Sequence, residues 1–249
     1  MSALDVRMFT VGPVQENAYI VMAGRECGRA VMVDPGEEPE RLLAAARALE
    51  VEIEAILITH CHFDHIGAVA PVARATGAPV YCPEIEVGLL SDITAWTPPG
   101  FGPFESWEPE QRVKGGERLA LAGLDVEVLF TPGHSPGHVT YALTPFPGSS
   151  PEGIDCTQEQ TGDGQSTATP TSTPTPTPAL LSGDVLFQGS VGRVDLPGGD
   201  WKVLERSIGT LVERFPGETV VYPGHMGVTS LGRELQSNPF LAELRATVG

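Results

Sequence analysis

The sequence predicts an α/β fold of the layered kind. Short apolar, β-branched runs alternate with helical segments in both halves of the chain, and the strands fall into two groups. That alternation points to sheets covered by helices and excludes a helix bundle or an all-β barrel. The 249 residues are 41% hydrophobic, enough for a sizeable core.

The elements follow in order. LDVRMFTV (4–11), AYIVMA (18–23) and AVMVD (30–34) read as strands, the last closed by the turn Asp34-Pro35-Gly36. EEPERLLAAARALE reads as a helix, with Leu42, Leu43, Ala46 and Leu49 on one face and acidic residues in its first turn. IEAILIT (53–59) is a buried-type strand. IGAVAPVARATG (66–77) is helical, with Pro71 as a bend or a first-turn residue, and APVYC is a short strand. Residues 91–116 hold Trp96, Phe101, Phe104 and Trp107 among Pro and Gly, and read as a loop that either covers a site or packs on its own aromatics.

ERLALAG and LDVEVLFTPG form a predicted hairpin, and HVTYAL (138–143) a further strand. From 145 to 178 the composition turns to Thr, Pro, Ser and Gly, too poor in aliphatics to offset its ordering entropy. We read it as a disordered insertion, a solvated spacer within one domain spanning 1–249. ALLSGDVLF (179–187) resumes the sheet. Asp200 caps the helix WKVLERSIGTLVERF, ETVVYPGH is a strand ending in a loop, and LGRELQSNPFLAEL closes the chain as one or two helices.

Charge narrows the function. The net charge is −17, and Lys114 and Lys202 are the only two lysines, so no basic cluster is available for nucleic acid or an anionic membrane surface. The N-terminus lacks a basic-then-apolar leader and no run reaches membrane-spanning length, so the expected location is cytoplasmic. Cys27, Cys61, Cys82 and Cys156 form no C-x-x-C pair and suit reduced thiols.

All six histidines fall in three short stretches, each following an apolar strand: THCHFDHIGA, TPGHSPGH and YPGH. Asp184 in LLSGDVLF has the same setting. Histidine and carboxylate are the usual ligands of zinc, iron and manganese. His60 and His62, two apart on an extended segment, point the same way and can grip one ion, while Asp64 and His65 follow a turn and can grip another. Strand ends on one sheet edge would bring His134, Asp184 and His225 to the same place. Cys61, between two ligands, should point away from the ions.

These motifs resemble the metallo-β-lactamase-fold hydrolases, and among them the glyoxalase II-like (hydroxyacylglutathione hydrolase-like) branch. THCHFDHIGA, TPGHSPGH, SGDVLF and VVYPGH match the family's motifs in order, and GSVGRVDLPGGD (189–200) and GREL-QSNPFL resemble the same branch. The resemblance implies an αββα four-layer sandwich with the metal site at one edge of the two sheets. It implies one ion on His60, His62 and His134, another on Asp64, His65 and His225, and Asp184 as the bridge. The ions would be zinc, with iron and manganese also suited.

His138 is surplus to that set and reads as a residue that hydrogen-bonds a ligand or backbone. Arg193 either binds a substrate carboxylate or pairs with Asp195 or Asp200. Tyr141 is a core residue or a weak substrate contact. With 24 residues after His225, the family's helical substrate-binding domain is missing, which implies a compact variant.

The implied reaction is hydrolysis of a small-molecule thioester such as S-lactoylglutathione. A metal-bridging hydroxide attacks the carbonyl, and the catalytic carboxylates are Asp64, which orients it or carries a proton, and Asp184, the bridge. Alternatives within the fold are a mononuclear-iron persulfide dioxygenase and a lactone hydrolase. The dioxygenase branch tends to carry cysteine in place of His138. A metal-binding scaffold without activity would show a broken ligand set, and this one is complete.

Overall fold

The computed structural model describes residues 4–24, 27–146 and 177–248. The first sheet holds β1 (Asp5–Val11), β2 (Glu16–Met22), β3 (Arg29–Val33), β4 (Glu52–Leu57), β5 (Val80–Pro83) and β6 (Gln111–Val113), hydrogen-bonded in that order. β1, β2 and β3 pair antiparallel; β3 through β6 pair parallel. The second sheet contains β7 (Arg118–Leu121), β8 (Leu124–Phe130), β9 (Val139–Pro145) and β10 (Ala179–Gly183). A two-stranded ribbon, β11 (Leu186–Phe187) with β12 (Ser190–Val191), precedes β13 (Val220–Pro223) and β14 (Thr229–Ser230). The order in this sheet is β14-β13-β10-β9-β8-β7, antiparallel except for the β10–β13 pair.

Helices cover the outer faces. On the first sheet lie α1 (Pro39–Ala48), α2 (Phe63–Ile66), α3 (Val69–Thr76), α4 (Val87–Ser91) and α5 (Ile93–Trp96); on the second, α6 (Trp201–Arg214), α7 (Leu231–Ser237) and α8 (Ala242–Val248). Three apolar clusters separate the four layers. Tyr19, Val31, Leu57, Val126, Val128 and Tyr141 interdigitate between the sheets. Leu42, Ile56, Val72 and Leu90 pack the first sheet to its helices, and Leu180, Leu204, Ile208 and Leu211 pack the second to α6. The expected αββα sandwich is thus the observed architecture.

Most elements agree with the sequence expectation to within two residues, and Asp200 caps α6 as expected, its Oδ1 accepting from Val203 N at 3.0 Å. Two differ. The helix expected over 66–77 starts only at Val69, as α3, and the short α2 precedes it; between them Gly67 sits where the Gly36 carbonyl and the Phe104 ring leave no room for a side chain. Pro71 then falls in the first turn of α3, where a missing N–H costs no helical bond. The loop expected over 91–116 contains α5 and the three-residue edge strand β6. The Thr/Pro-rich insertion expected at 145–178 lies, but for its ends, outside the described residues; it joins β9 to β10, which pair antiparallel.

Topology fixes where the strands deliver their loops. β8 and β10 both run antiparallel to β9, and β13 runs parallel to β10. The C-terminal ends of β8, β10 and β13 therefore reach one edge, where they meet the ends of β3 and β4.

Candidate metal centre

Each strand end contributes chemistry at that edge. Asp34 follows β3, His60 and His62 follow β4, Asp64 and His65 sit on α2, His134 follows β8, Asp184 follows β10 and His225 follows β13. All seven residues expected to form the site are brought together. His62 Nδ1 lies 3.0 Å from His60 Nε2 and 2.8 Å from His134 Nε2, and the last two are 3.2 Å apart. A second group holds Asp64, His65 and His225, with His225 Nε2 3.4 Å and His65 Nε2 4.0 Å from Asp64 Oδ2.

Asp184 lies between the two groups. Its Oδ1 is 3.4 Å from His65 Nε2; its Oδ2 is 3.5 Å from His134 Nε2 and 3.6 Å from His225 Nε2. Two ligand atoms each about 2.1 Å from one ion at a tetrahedral angle stand roughly 3.4 Å apart. The Asp184 separations match that spacing on both sides. Gly224 makes the approach possible: a Cβ there would run into Asp184 Oδ1 and come within 2.6 Å of His65 Cε1.

The rings are held from behind. His60 Nδ1–H donates to Thr59 Oγ1 (3.1 Å), His65 Nδ1–H to Asp34 Oδ2 (3.1 Å), His134 Nδ1–H to the Arg193 carbonyl (2.7 Å) and His225 Nδ1–H to the Gln15 carbonyl (3.2 Å). These partners fix tautomers that leave every Nε2 as an acceptor facing the cluster. Asp34 is itself anchored by Thr59, whose N–H and hydroxyl donate to it at 2.7 and 2.6 Å. With both oxygens so engaged, Asp34 supports the site rather than ligating, although it stands within ligand distance of His60 and His65.

The electrostatics suit cations. Burial, then the neighbouring His65 charge, holds His60 well below the usual imidazole range; burial and His134 pull His62 down to about 4. Both are therefore neutral and ready to ligate at neutral pH. Burial is the largest single influence on Asp64 and Asp184 and raises both carboxyls, but His225 and His65 together for Asp64, and His65, His134 and His225 together for Asp184, more than reverse it, so both end below the usual range. Burial lowers His65, and Asp184 with Asp34 more than reverses it. His65 Nε2 and Asp184 Oδ1 are buried and lack a hydrogen-bond partner among the described residues. Buried polar atoms are rarely left so; an ion between them satisfies both. The residues present fit divalent metal.

The remaining expected residues fall as follows. His138 is fully buried; its Nε2 accepts from Asp184 N at 3.1 Å and its Nδ1–H donates to Thr131 Oγ1 at 3.2 Å. Cys61 points into the core, its Sγ 3.5 Å from that of Cys82. Arg193 is exposed and paired with Asp195 at 2.6 and 2.7 Å. Tyr141 is buried between the sheets with its hydroxyl donating to the Ile58 carbonyl at 2.9 Å, a core position without exposed surface for a ligand. Of the aromatic loop, Phe101 and Phe104 pack on Phe63 beside Asp64, at 4.7 and 6.2 Å between ring centroids.

The sequence left Asp34, Thr59, Glu16 and Glu86 unassigned. Asp34 carried a signal, a strand-end Asp-Pro-Gly turn like the loops that hold the histidines. Glu16 and Glu86 carried none.

Fold and site together define a metal-dependent hydrolase. A family model described as the metallo-beta-lactamase superfamily matches residues 11–144, and the chain belongs to that superfamily. A probable metallo-hydrolase of Bacillus subtilis, YqgX, is 32% identical over 240 residues, 94% of this chain and 96% of that protein. The hydroxyacylglutathione hydrolase GloC of Haemophilus influenzae is 27% identical over 241 residues, 96% of this chain and 98% of that protein. Among solved structures, TTHA1623 in a di-iron-bound form is 39% identical with a TM-score of 0.70, covering 94% of this chain and 100% of that one. The BLEG-1 B3 metallo-beta-lactamase is 32% identical with a TM-score of 0.76, covering 96% and 100%.

Proposed function

We propose that the chain hydrolyses small-molecule thioesters, S-lactoylglutathione among them. In this reading His60, His62 and His134 hold one divalent ion, and Asp64, His65 and His225 hold a second. The observation that carries it is the position of Asp184, within 3.4–3.6 Å of His65, His134 and His225, as a shared ligand must be. The likeness to GloC supports the substrate class, and the likeness to TTHA1623 supports two ions. Zinc is the expected metal, with iron or manganese suited to the same ligands.

Two such ions, held by these residues, would supply hydroxide near neutral pH and an electrophile for the carbonyl oxygen. The chain's own groups do the rest. Asp64, ionised and 3.4 Å from His225, sits at the more open side of the cluster and receives the proton of the attacking water. Asp184 holds the two ligand groups at a fixed separation, and His138 holds Asp184 by its backbone N–H. No serine or cysteine nucleophile is needed: Cys61 faces the core, and burial pushes its thiol well up.

Elemental analysis of protein purified without added metal or oxygen, followed by a thioester panel starting with S-lactoylglutathione, tests the reading. Two ions per chain and thiol release are expected. One iron per chain with oxygen uptake on a persulfide, or two ions with no thioester turnover, would overturn it.

A further inference from the structure

Glu86 ends a 3-10 turn after β5 and is 2% exposed, yet it belongs to neither ligand group. Its two oxygens reach two different loops. Oε2 accepts from the backbone N–H of Cys61 at 2.5 Å; Oε1 accepts from Gly137 N at 2.8 Å and from the Ser135 hydroxyl. Cys61 lies between His60 and His62, and Ser135 follows His134. One buried side chain thus ties the loop at the end of β4, in the first sheet, to the loop at the end of β8, in the second. Gly137 admits it, since a Cβ there would stand 2.6 Å from Glu86 Cγ and 3.0 Å from Ile85 Cβ.

The chemistry of this clamp is selective. Three donors converge and none of the three partners needs a donor in return. A glutamine of the same shape must turn its NH2 group toward Cys61 N–H or toward Gly137 N–H, leaving a buried donor facing a donor. An aspartate is too short to span both loops.

We propose that Glu86 is a positioning residue: by clamping these loops it sets the spacing of the His60, His62 and His134 rings, and so the affinity of that cluster for its ion. The inference rests on the ligand assignment proposed above. Changing a supporting partner of a metal ligand typically weakens binding by roughly 10–100-fold.

The test compares wild type, Glu86→Gln, Ser135→Ala and His134→Ala, each loaded with cobalt(II) and titrated with a chromophoric chelator. Glu86→Gln should weaken one of two cobalt equivalents by roughly 10–100-fold and leave the other near wild type. Its visible d–d spectrum should shift toward that of His134→Ala. Ser135→Ala removes a single donor and should move both readouts the same way by less, which keeps the test open should Glu86→Gln fail to fold. A lowered melting temperature with unchanged spectrum and affinities would make Glu86 structural only and overturn the proposal. Full cobalt retention by His134→Ala would instead overturn the ligand assignment itself.

Discussion

Asp184→Asn tests the centre most directly, because it keeps the shape of the side chain and removes the charge. Asp184 stands within 3.4–3.6 Å of histidines from both ligand groups, so under the proposed two-ion assignment the change removes an anionic ligand from each ion at once. A four-ligand zinc site binds with about 10–16 kcal/mol, or roughly 3 kcal/mol per ligand, and 1.4 kcal/mol is tenfold in affinity. Each ion should therefore bind roughly a hundredfold more weakly. The amide adds a second penalty, since only its oxygen can bind a cation and its NH2 end must replace a carboxylate oxygen on the side of either His65 or the His134–His225 pair. Chelator competition reads the affinities, and thioester hydrolysis at saturating metal reads the consequence. Circular dichroism controls for folding. Retention of both ions within about threefold of wild type, under 1 kcal/mol, would refute the bridging position of Asp184.

Under the proposed two-ion assignment, lowering the pH should empty the sites in sequence. His65 and His225 are raised by facing carboxylates, so protons compete with metal there already near neutral pH; burial pulls His60 and His62 down, so their group should hold metal to lower pH than the other. Metal content after dialysis at stepped pH should fall through a plateau of one ion per chain, and simultaneous loss would contradict the assignment. His138→Leu orphans the Asp184 N–H, which should cost about 1–3 kcal/mol of stability and weaken metal binding by roughly 10–100-fold. Asp200→Ala, which removes the cap of α6, should cost about 1 kcal/mol, a fall of about 2–4 °C in melting temperature, with metal content unchanged.

The sequence made the ligands legible because metal binding demands uncommon residue types. All six histidines stand in the three segments that follow β4, β8 and β13, and every one is in or directly behind the centre. Layering was legible for a similar reason, since apolar periodicity reports which face is buried. The supporting carboxylates were not. Glu86 is one of 32 acidic residues and occupies a short turn with no periodic pattern, so only the three donors around it distinguish it. β6 is three residues, QRV, and owes its strand conformation to parallel pairing with β5, a partner about thirty residues away that no local pattern announces. Arg193 had two readings, and the short spacing to Asp195 left its side chain in an ion pair.

Charge accounting favours bound metal in the folded chain. Glu16, Asp34, Asp64 and Asp184 all come within 4.0 Å of the single ring of His65. Burial pushes Glu16 far above the usual range, and neither of its oxygens has a hydrogen-bond partner among the described residues. With Glu16 favouring its neutral form, Asp34, Asp64 and Asp184 still face the one ring, more carboxyls than a single imidazolium balances and a setting that favours a bound cation. The rings are nonetheless oriented by Thr59, Asp34, Arg193 and Gln15, partners supplied by the protein alone. Chelation should therefore lower the melting temperature without erasing secondary structure, and restoring metal at 1,000 times its dissociation constant should return about 4 kcal/mol. Far-ultraviolet circular dichroism with and without chelator checks this. Unfolding at room temperature on chelation would mean that the ions build the loops, and an unchanged melting temperature that the carboxyls around His65 are satisfied without them.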